Sequence, residues 1–391
     1  MIVENSEQAL VYAAKGGDEV AFRRLIEPLT RELSAYAYRM LGGNQDAEDA
    51  LQETRLKAWR HLGSYEPTVS FRAWVYRIAT NTSLDMLRQR QRRVLPQDVG
   101  PPALPGPPTT AIREDISWLE PYPDTLLPTT ASPEEALRLH ESVRLAFVRA
   151  MQLLPPRQRA ALILHDVLDF AVGEVAAMLE TTVPAINSAL QRARASVKRP
   201  STDGHAETSA AAHELMEARK AETVARFIRA WESGDFADLV TLLTEDAILT
   251  MPPWVYWLAG RDAVIATMES RGTWDGEPRA GRYRIVPCAM NGQPAGLAYV
   301  RFGDGPFVPV CMTVMTLNPD GRISAMDTFV LPKHFAAWGF PAALEATSPP
   351  LPPQLAGRAG EGRHLVAART RLRDQFSPES ARRADDDDPH A

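Results

Sequence analysis

Residues 71–93, FRAWVYRIATNTSLDMLRQRQRR, place an apolar face and a dense set of arginines on a single helix of about six turns. Phe71, Val75, Ile78 and Thr82 recur at helical spacing with Trp74 and Ala79 beside them, which predicts one packed side. Arg72, Arg77, Arg88, Arg90, Arg92 and Arg93 gather mainly toward the C-terminal end, beyond what complementing the helix dipole requires. Taken alone, such an end is either a solvated charge cap or a surface for a polyanion. The rest of the chain has to decide between them.

The net charge of -6 does not favour nucleic acid, but it is unevenly spread over the 391 residues. Residues 1–95 hold 14 Lys/Arg against 12 Asp/Glu, and residues 134–200 hold 9 against 7. Each segment is therefore net basic. A hydrophobic content of 45% supports true cores and two or three domains. The two cysteines, Cys288 and Cys311, form no CxxC pair and no His cluster accompanies them, so neither a disulfide framework nor a metal site is expected. No basic-then-apolar leader opens the chain and no apolar run reaches about eighteen residues. A cytoplasmic protein without membrane contact is the expectation.

Residues 7–41 predict two helices divided at Gly16-Gly17, with Asp18 placed to cap the second. Beyond Gly42-Gly43, the stretch NQDAEDALQETRLKAWRHL buries Ala47, Ala50, Leu51, Thr54 and Ala58, leaving Asp49, Gln52 and Glu53 as one polar patch. The patch is either ordinary solvation or a dock for a basic helix. The blocks AEDALQETRLKAWRHL and FRAWVYRIATNTSLDMLRQRQRR together resemble region 2 of the sigma-70 family, in the compact form of extracytoplasmic-function (ECF) sigma factors.

Residues 96–132 are rich in proline and predict an extended linker. Within it, residues 116–124 (ISWLEPYPD) bring Trp118, Leu119 and Tyr122 together, which a bare spacer does not need, and so predict a docking motif. Ser132 with Pro133 and Glu134 starts a helical region, with single helices expected over 135–153 and 156–168. AVGEVAAMLE, Thr181-Thr182 and VPAINSALQRARASVKR then form a helix-turn-helix. LPPRQRAALILHDVLDF ahead of it resembles sigma region 4, so residues 133–200 read as that domain. The N-terminal residues of the second helix, Thr182, Ala185, Asn187 and Ser188, are candidates to read bases, and Arg192, Arg194, Lys198 and Arg199 to hold phosphates. Ile186 and Leu190 are core residues.

A small-residue linker over 201–214 precedes helices at 215–233 and 236–243, a strand-like segment ending near Gly260, a helix over 260–269, and strands over 282–286, 296–302, 308–318 and 323–330. Helices followed by a strand meander indicate an α+β fold over 215–340. The order resembles the SnoaL-like (NTF2-like) cone. Met251, Trp254, Tyr256 and Trp257 line a cavity for an apolar small molecule or else form packed core. Asp246 and Asp327 are the carboxylates available for acid/base work, although Asp246 reads better as a turn cap, and Asp327 either faces the pocket or binds Arg322. Residues 341–391, closing with ADDDDPHA, are expected to be disordered.

The fold class expected is therefore multidomain, with two all-α sigma domains followed by an α+β cone. The resemblance implies a non-enzymatic RNA polymerase sigma factor without cofactor, whose partners are core polymerase and promoter DNA. It implies that Asp49, Gln52 and Glu53 dock on core polymerase, and that Trp74, Arg77, Asn81, Arg88 and Arg90 sit at the −10 element. The helix from Val183 would meet the −35 element. Trp118, Leu119 and Tyr122 would let the third domain regulate in cis, with no separate anti-sigma factor required. Two other readings stand beside this one: an isomerase or hydrolase carried by the third domain, and a helix-turn-helix repressor.

Overall fold

The computed structural model describes residues 2–129, 132–197, 210–234, 236–270, 281–336 and 338–345. They form two compact units, one drawing on Met1–Val94 and Leu119–Gly204, the other on Leu95–Trp118 and His205–Ala391. Residues 198–209 and 346–391, which include Lys198, Arg199 and the expected disordered tail, lie outside the described residues.

The first unit is helical. α1 (Ile2–Lys15) gives way at Gly16-Gly17 to α2 (Glu19–Ile26), where the Asp18 carboxylate accepts from the amides of Val20 at 2.8 Å and Ala21 at 3.1 Å. α3 (Thr30–Leu41) is the centre of the unit: from Ala35 to Leu41 every side chain is buried. Full burial of Tyr36, Tyr38 and Met40 contributes on the order of 2 kcal/mol each. α3 ends at Gly42 in the left-handed region, φ +73°, a conformation that suits glycine. α4 (Asn44–His61) buries Ala47, Ala50, Thr54 and Ala58 of the stripe its spacing predicts, with Leu51 half-buried. α5 (Phe71–Gln89) begins at Ser70, whose hydroxyl accepts from the Ala73 amide at 3.1 Å.

The expected helix over 135–153 is two helices, α6 (Pro133–Val143) and α7 (Leu145–Leu153), because Arg144 adopts an extended ψ of 141°. α8 (Pro156–Leu162) likewise stops short and passes into a π turn over Ile163–Val167. α9 (Val172–Met178) and α10 (Val183–Ser196) form the helix-turn-helix, with the Thr182 hydroxyl capping α10 and Ile186, Leu190 and Ala193 buried.

In the second unit, α11 (Ala210–Ser233), the short α12 (Leu239–Leu242) and α13 (Arg261–Ser270) accompany strands β1 (Leu243–Thr250), β2 (Trp257–Ala259), β3 (Tyr283–Met290), β4 (Gln293–Arg301), β5 (Phe307–Leu317) and β6 (Ile323–Phe329). The described strands form one sheet ordered β2-β1-β6-β5-β4-β3, antiparallel except for β1 with β6. Leu249 and Met326 share an apolar core with Phe227 and Ala230 of α11 and with Val264 and Met268 of α13. That core sits between the helices and one sheet face.

The segment expected to be a linker is packed in both its halves. Ala103 donates its amide to the Trp257 carbonyl at 2.8 Å, Trp257 Nε1 donates to the Gly100 carbonyl at 2.8 Å, Tyr256 Oη donates to the Gly106 carbonyl, and Arg113 donates its amide to Pro253. Proline prevents regular structure but leaves carbonyls free, and aromatic N–H and O–H groups bind them. Residues 119–127 belong instead to the helical unit. Tyr122 stacks on Tyr38 with 4.6 Å between centroids and shares a 2.8 Å hydrogen bond with Ser34, while Arg31 donates to the Leu127 carbonyl. The 116–124 cluster thus divides between the two units after Trp118, whose Nε1 donates to the Arg113 carbonyl at 3.0 Å.

Candidate nucleic-acid interface

Trp74, Arg77, Asn81 and Arg88 follow one stripe of α5 at steps of three, four and seven residues. Arg77, Asn81 and Arg88 are exposed; Trp74 is half-buried, its ring held by Tyr65 at 5.3 Å and Phe71 at 5.7 Å. An indole fixed at its root with an open edge can stack on an unpaired base. Arg88 is tied to Asp85 at 2.7 Å, an exposed and weak pair.

Arg90 is engaged differently from the others. It lies just past α5, paired with Asp46 and, at 3.8 Å, with Asp49. Asp49 and Gln52 are exposed on α4, and Glu53 is half-buried beside Lys57 at 3.4 Å. Of the three polymerase candidates, Asp49 is linked through charge to the arginine end of α5, a relation that helical spacing within either segment could not reveal.

On the helix-turn-helix, Thr182, Ala185, Asn187, Ser188 and Arg192 are exposed. Arg194 donates two hydrogen bonds to Asp166, at 2.6 and 2.9 Å, so its charge is already partnered. In the same unit, Phe170 receives the Arg72 guanidinium at 4.5 Å and the Tyr76 ring at 5.1 Å, and Arg77 pairs with Glu180 in the turn before α10 at 2.7 Å.

Beneath these contacts lies a buried polar network that sequence reading missed. Arg39, 1% exposed, donates to the Ser142 hydroxyl at 2.6 Å and to its carbonyl at 3.2 Å. Arg159, 3% exposed, donates to Gln152 Oε1 at 2.7 Å and to the carbonyls of Gln152, Leu154 and Met40. Burial lowers both guanidinium pKa values to about 10. The one available signal was Arg39 inside the otherwise apolar run AYAYRML.

Burial also pushes the Tyr122 phenol up to about 12, against the opposing hydrogen bond from Ser34, and raises Tyr36 and Tyr76 well above the ordinary tyrosine value. A folded pKa above the unfolded one stabilises below about pH 10, and that stability is lost as pH rises through the folded value. The helical unit should lose stability between about pH 10 and 12, and Tyr122→Phe should flatten part of that fall. Melting temperature across this range, followed with tyrosinate absorbance, checks it.

Met251, Trp254 and Tyr256 are buried in the apolar core, and Tyr256 and Trp257 hold residues 100–106. Asp327 and Thr250 alternate along their strands with Met326 and Leu249 of that core, so they face the opposite side of the sheet, where Thr250 donates to Asp327 at 2.7 Å. Arg322 pairs with Asp320 at 3.9 Å instead of Asp327, and Asp246 is exposed within β1 and caps no turn. No group of three or more potential metal ligands occurs among the described residues, and no helix among them is long and apolar enough to cross a membrane.

A helical module with an arginine-ended aromatic helix, packed in one unit with a helix-turn-helix and followed by an α+β cone, defines a DNA-binding transcription factor with an appended domain. Family models match in the same order: Sigma-70 region 2 over residues 25–93, Sigma-70 region 4 over 144–197, and a SnoaL-like domain over 224–326. The chain is 40% identical over 320 residues to the ECF RNA polymerase sigma factor SigG of Mycobacterium tuberculosis, covering 81% of this chain and 83% of that protein. It is 30% identical over 199 residues to the RNA polymerase sigma-H factor of Pseudomonas aeruginosa, covering 51% of this chain and 95% of that one. The crystal structure of M. tuberculosis SigJ shares the fold, with a TM-score of 0.52 at 24% identity over 81% of this chain and 98% of that chain. The chain belongs to the ECF family of RNA polymerase sigma factors, with a SnoaL-like domain appended.

Proposed function

We propose that this sigma factor binds core polymerase through Asp49, Gln52 and Glu53 of α4 and opens the −10 element on the α5 stripe of Trp74, Arg77, Asn81 and Arg88. Arg90 adds phosphate contact there when released from Asp46. Thr182, Ala185, Asn187 and Ser188 read the −35 element, and Arg192, Arg194 and Lys198 hold its phosphates. The observation carrying this reading is the single α5 stripe that sets a root-fixed indole among exposed polar and cationic side chains. In a reconstituted holoenzyme, Trp74→Ala and Asn81→Ala should cut open-complex formation by about tenfold or more while core binding is retained. Unchanged open-complex yield in both variants would remove the −10 assignment.

The protein acts in the cytoplasm, and the SnoaL-like domain regulates it in cis, without need of a separate anti-sigma factor. Support comes from residues 95–127, whose halves are hydrogen-bonded into different units. Truncation from residue 215 onward, together with Trp118→Ala and Tyr122→Ala, should shift transcription from a cognate promoter in the same direction; unaltered transcription in all of them would defeat the proposal.

A further inference from the structure

The geometry points to Glu120 as a positioning residue for both the polymerase-docking helix and the arginine end of α5, an inference that rests on the assignments proposed above. Glu120 lies 27 positions beyond Arg93 in the chain, yet Arg93 Nη1 donates to its Oε1 at 2.9 Å. Its other oxygen, Oε2, accepts the Asn44 amide at 2.9 Å, so one carboxylate both caps α4 and grips Arg93, just beyond the end of α5. Arg93 turns its remaining donors on Asp46, at 2.9 and 2.7 Å, inside the first turn of α4.

The backbone of Glu120 is held as firmly as its side chain. Its amide donates to the Gly42 carbonyl at 3.0 Å, its carbonyl accepts Tyr38 Oη at 2.8 Å, and Leu119 donates to Val94 at 2.9 Å. Gly42 on the receiving side sits in the left-handed region at φ +73°, and a Cβ on Gly43 would displace the Arg93 guanidinium from its place.

Charge explains why a second carboxylate is needed. Arg90 and Arg93 both bind Asp46, itself only 6% exposed; Asp49 stands 3.8 Å from Arg90, and Glu120 adds a carboxylate on the Arg93 side. With the pair balanced, the start of α4 is fixed against the end of α5, and Asp49, one turn on from Asp46, is fixed with it. Glu120 touches neither polymerase nor DNA in this scheme; it acts through Arg93 and Asn44.

Glutamine at 120 keeps the shape but offers one acceptor to two donors. The experiment titrates core polymerase with the full-length protein as wild type, Glu120→Gln and Asp49→Ala, beside hydrogen exchange of α4 and α10. Glu120→Gln should weaken core binding by about tenfold and speed exchange at the start of α4, with α10 unchanged. Faster exchange throughout the helical unit, or a core affinity within about twofold of wild type while Asp49→Ala is weakened, overturns the positioning role. If Asp49→Ala also binds like wild type, the docking assignment of α4 fails by itself. Glu120 is then judged by −10 fork DNA binding in the holoenzyme, where the same loss is expected and its absence overturns the inference.

Discussion

Arg159→Ala is expected to lower the stability of the helical unit by about 3 kcal/mol or more, the largest loss foreseen for a single side chain here. Arg159 is 3% exposed and donates to four acceptors, three of them backbone carbonyls from Met40, Gln152 and Leu154. Its removal leaves those carbonyls buried without donors and opens a void where the guanidinium lay. Met40 belongs to α3 and Gln152 to α7, so the loss falls on the packing of region 4 against region 2. A reduction in melting temperature of about 6 to 12 °C should follow for a unit of this size. Arg159→Met fills the void without replacing the donors and should recover less than half of the loss; Arg159→Lys, with a flexible ammonium, should recover more. If Met restores wild-type melting, packing volume and not donation is the stabilising element.

How far the sequence reaches can be judged from such residues. Ala47, Ala50, Thr54 and Ala58 could be placed on one buried stripe because helical periodicity sets which residues share a face, and Asp18 and Ser132 could be read as caps because their chemistry is local. Arg39, Arg159 and Glu120 could not be placed, since their partners lie 103, 119 and 76 positions away and no periodicity connects them. The proline segment misled for a related reason. Absence of regular structure is legible in Pro101, Pro102 and Pro105, but the flanking carbonyls of Gly106 and Gly100 found donors on Tyr256 and Trp257, far along the chain. Strand alternation also separates sequence neighbours: Asp327 and Met326 lie on opposite faces of the sheet.

The second large effect concerns the contact between the two DNA-binding modules. Promoter elements named for positions −10 and −35 are separated by about 25 base pairs, or roughly 85 Å of duplex at 3.4 Å per pair. In this structure Arg77 of the −10 stripe and Glu180, two residues before the α10 cap, are 2.7 Å apart. On the residue assignments proposed above, this arrangement cannot engage both elements at once, and the modules have to separate before a promoter is bound. The Arg77–Glu180 pair is exposed and worth little, so the contact depends chiefly on Phe170, 4% exposed beneath Arg72 and Tyr76, and on the Arg39 and Arg159 bonds. Phe170→Ala should weaken it by about 3 kcal/mol, a shift of roughly a hundredfold toward the separated form. With Cys288 and Cys311 replaced by Ser, dyes at Asn81→Cys and Ser188→Cys should report a short distance in the otherwise wild-type background. Phe170→Ala should add a long-distance population in the labelled protein and, in unlabelled protein that keeps Asn81 and Ser188, tighten −10 fork binding through the freed Arg77. A distance distribution unmoved by Phe170→Ala, with fork affinity also unmoved, would mean that Phe170 is not what holds the modules together.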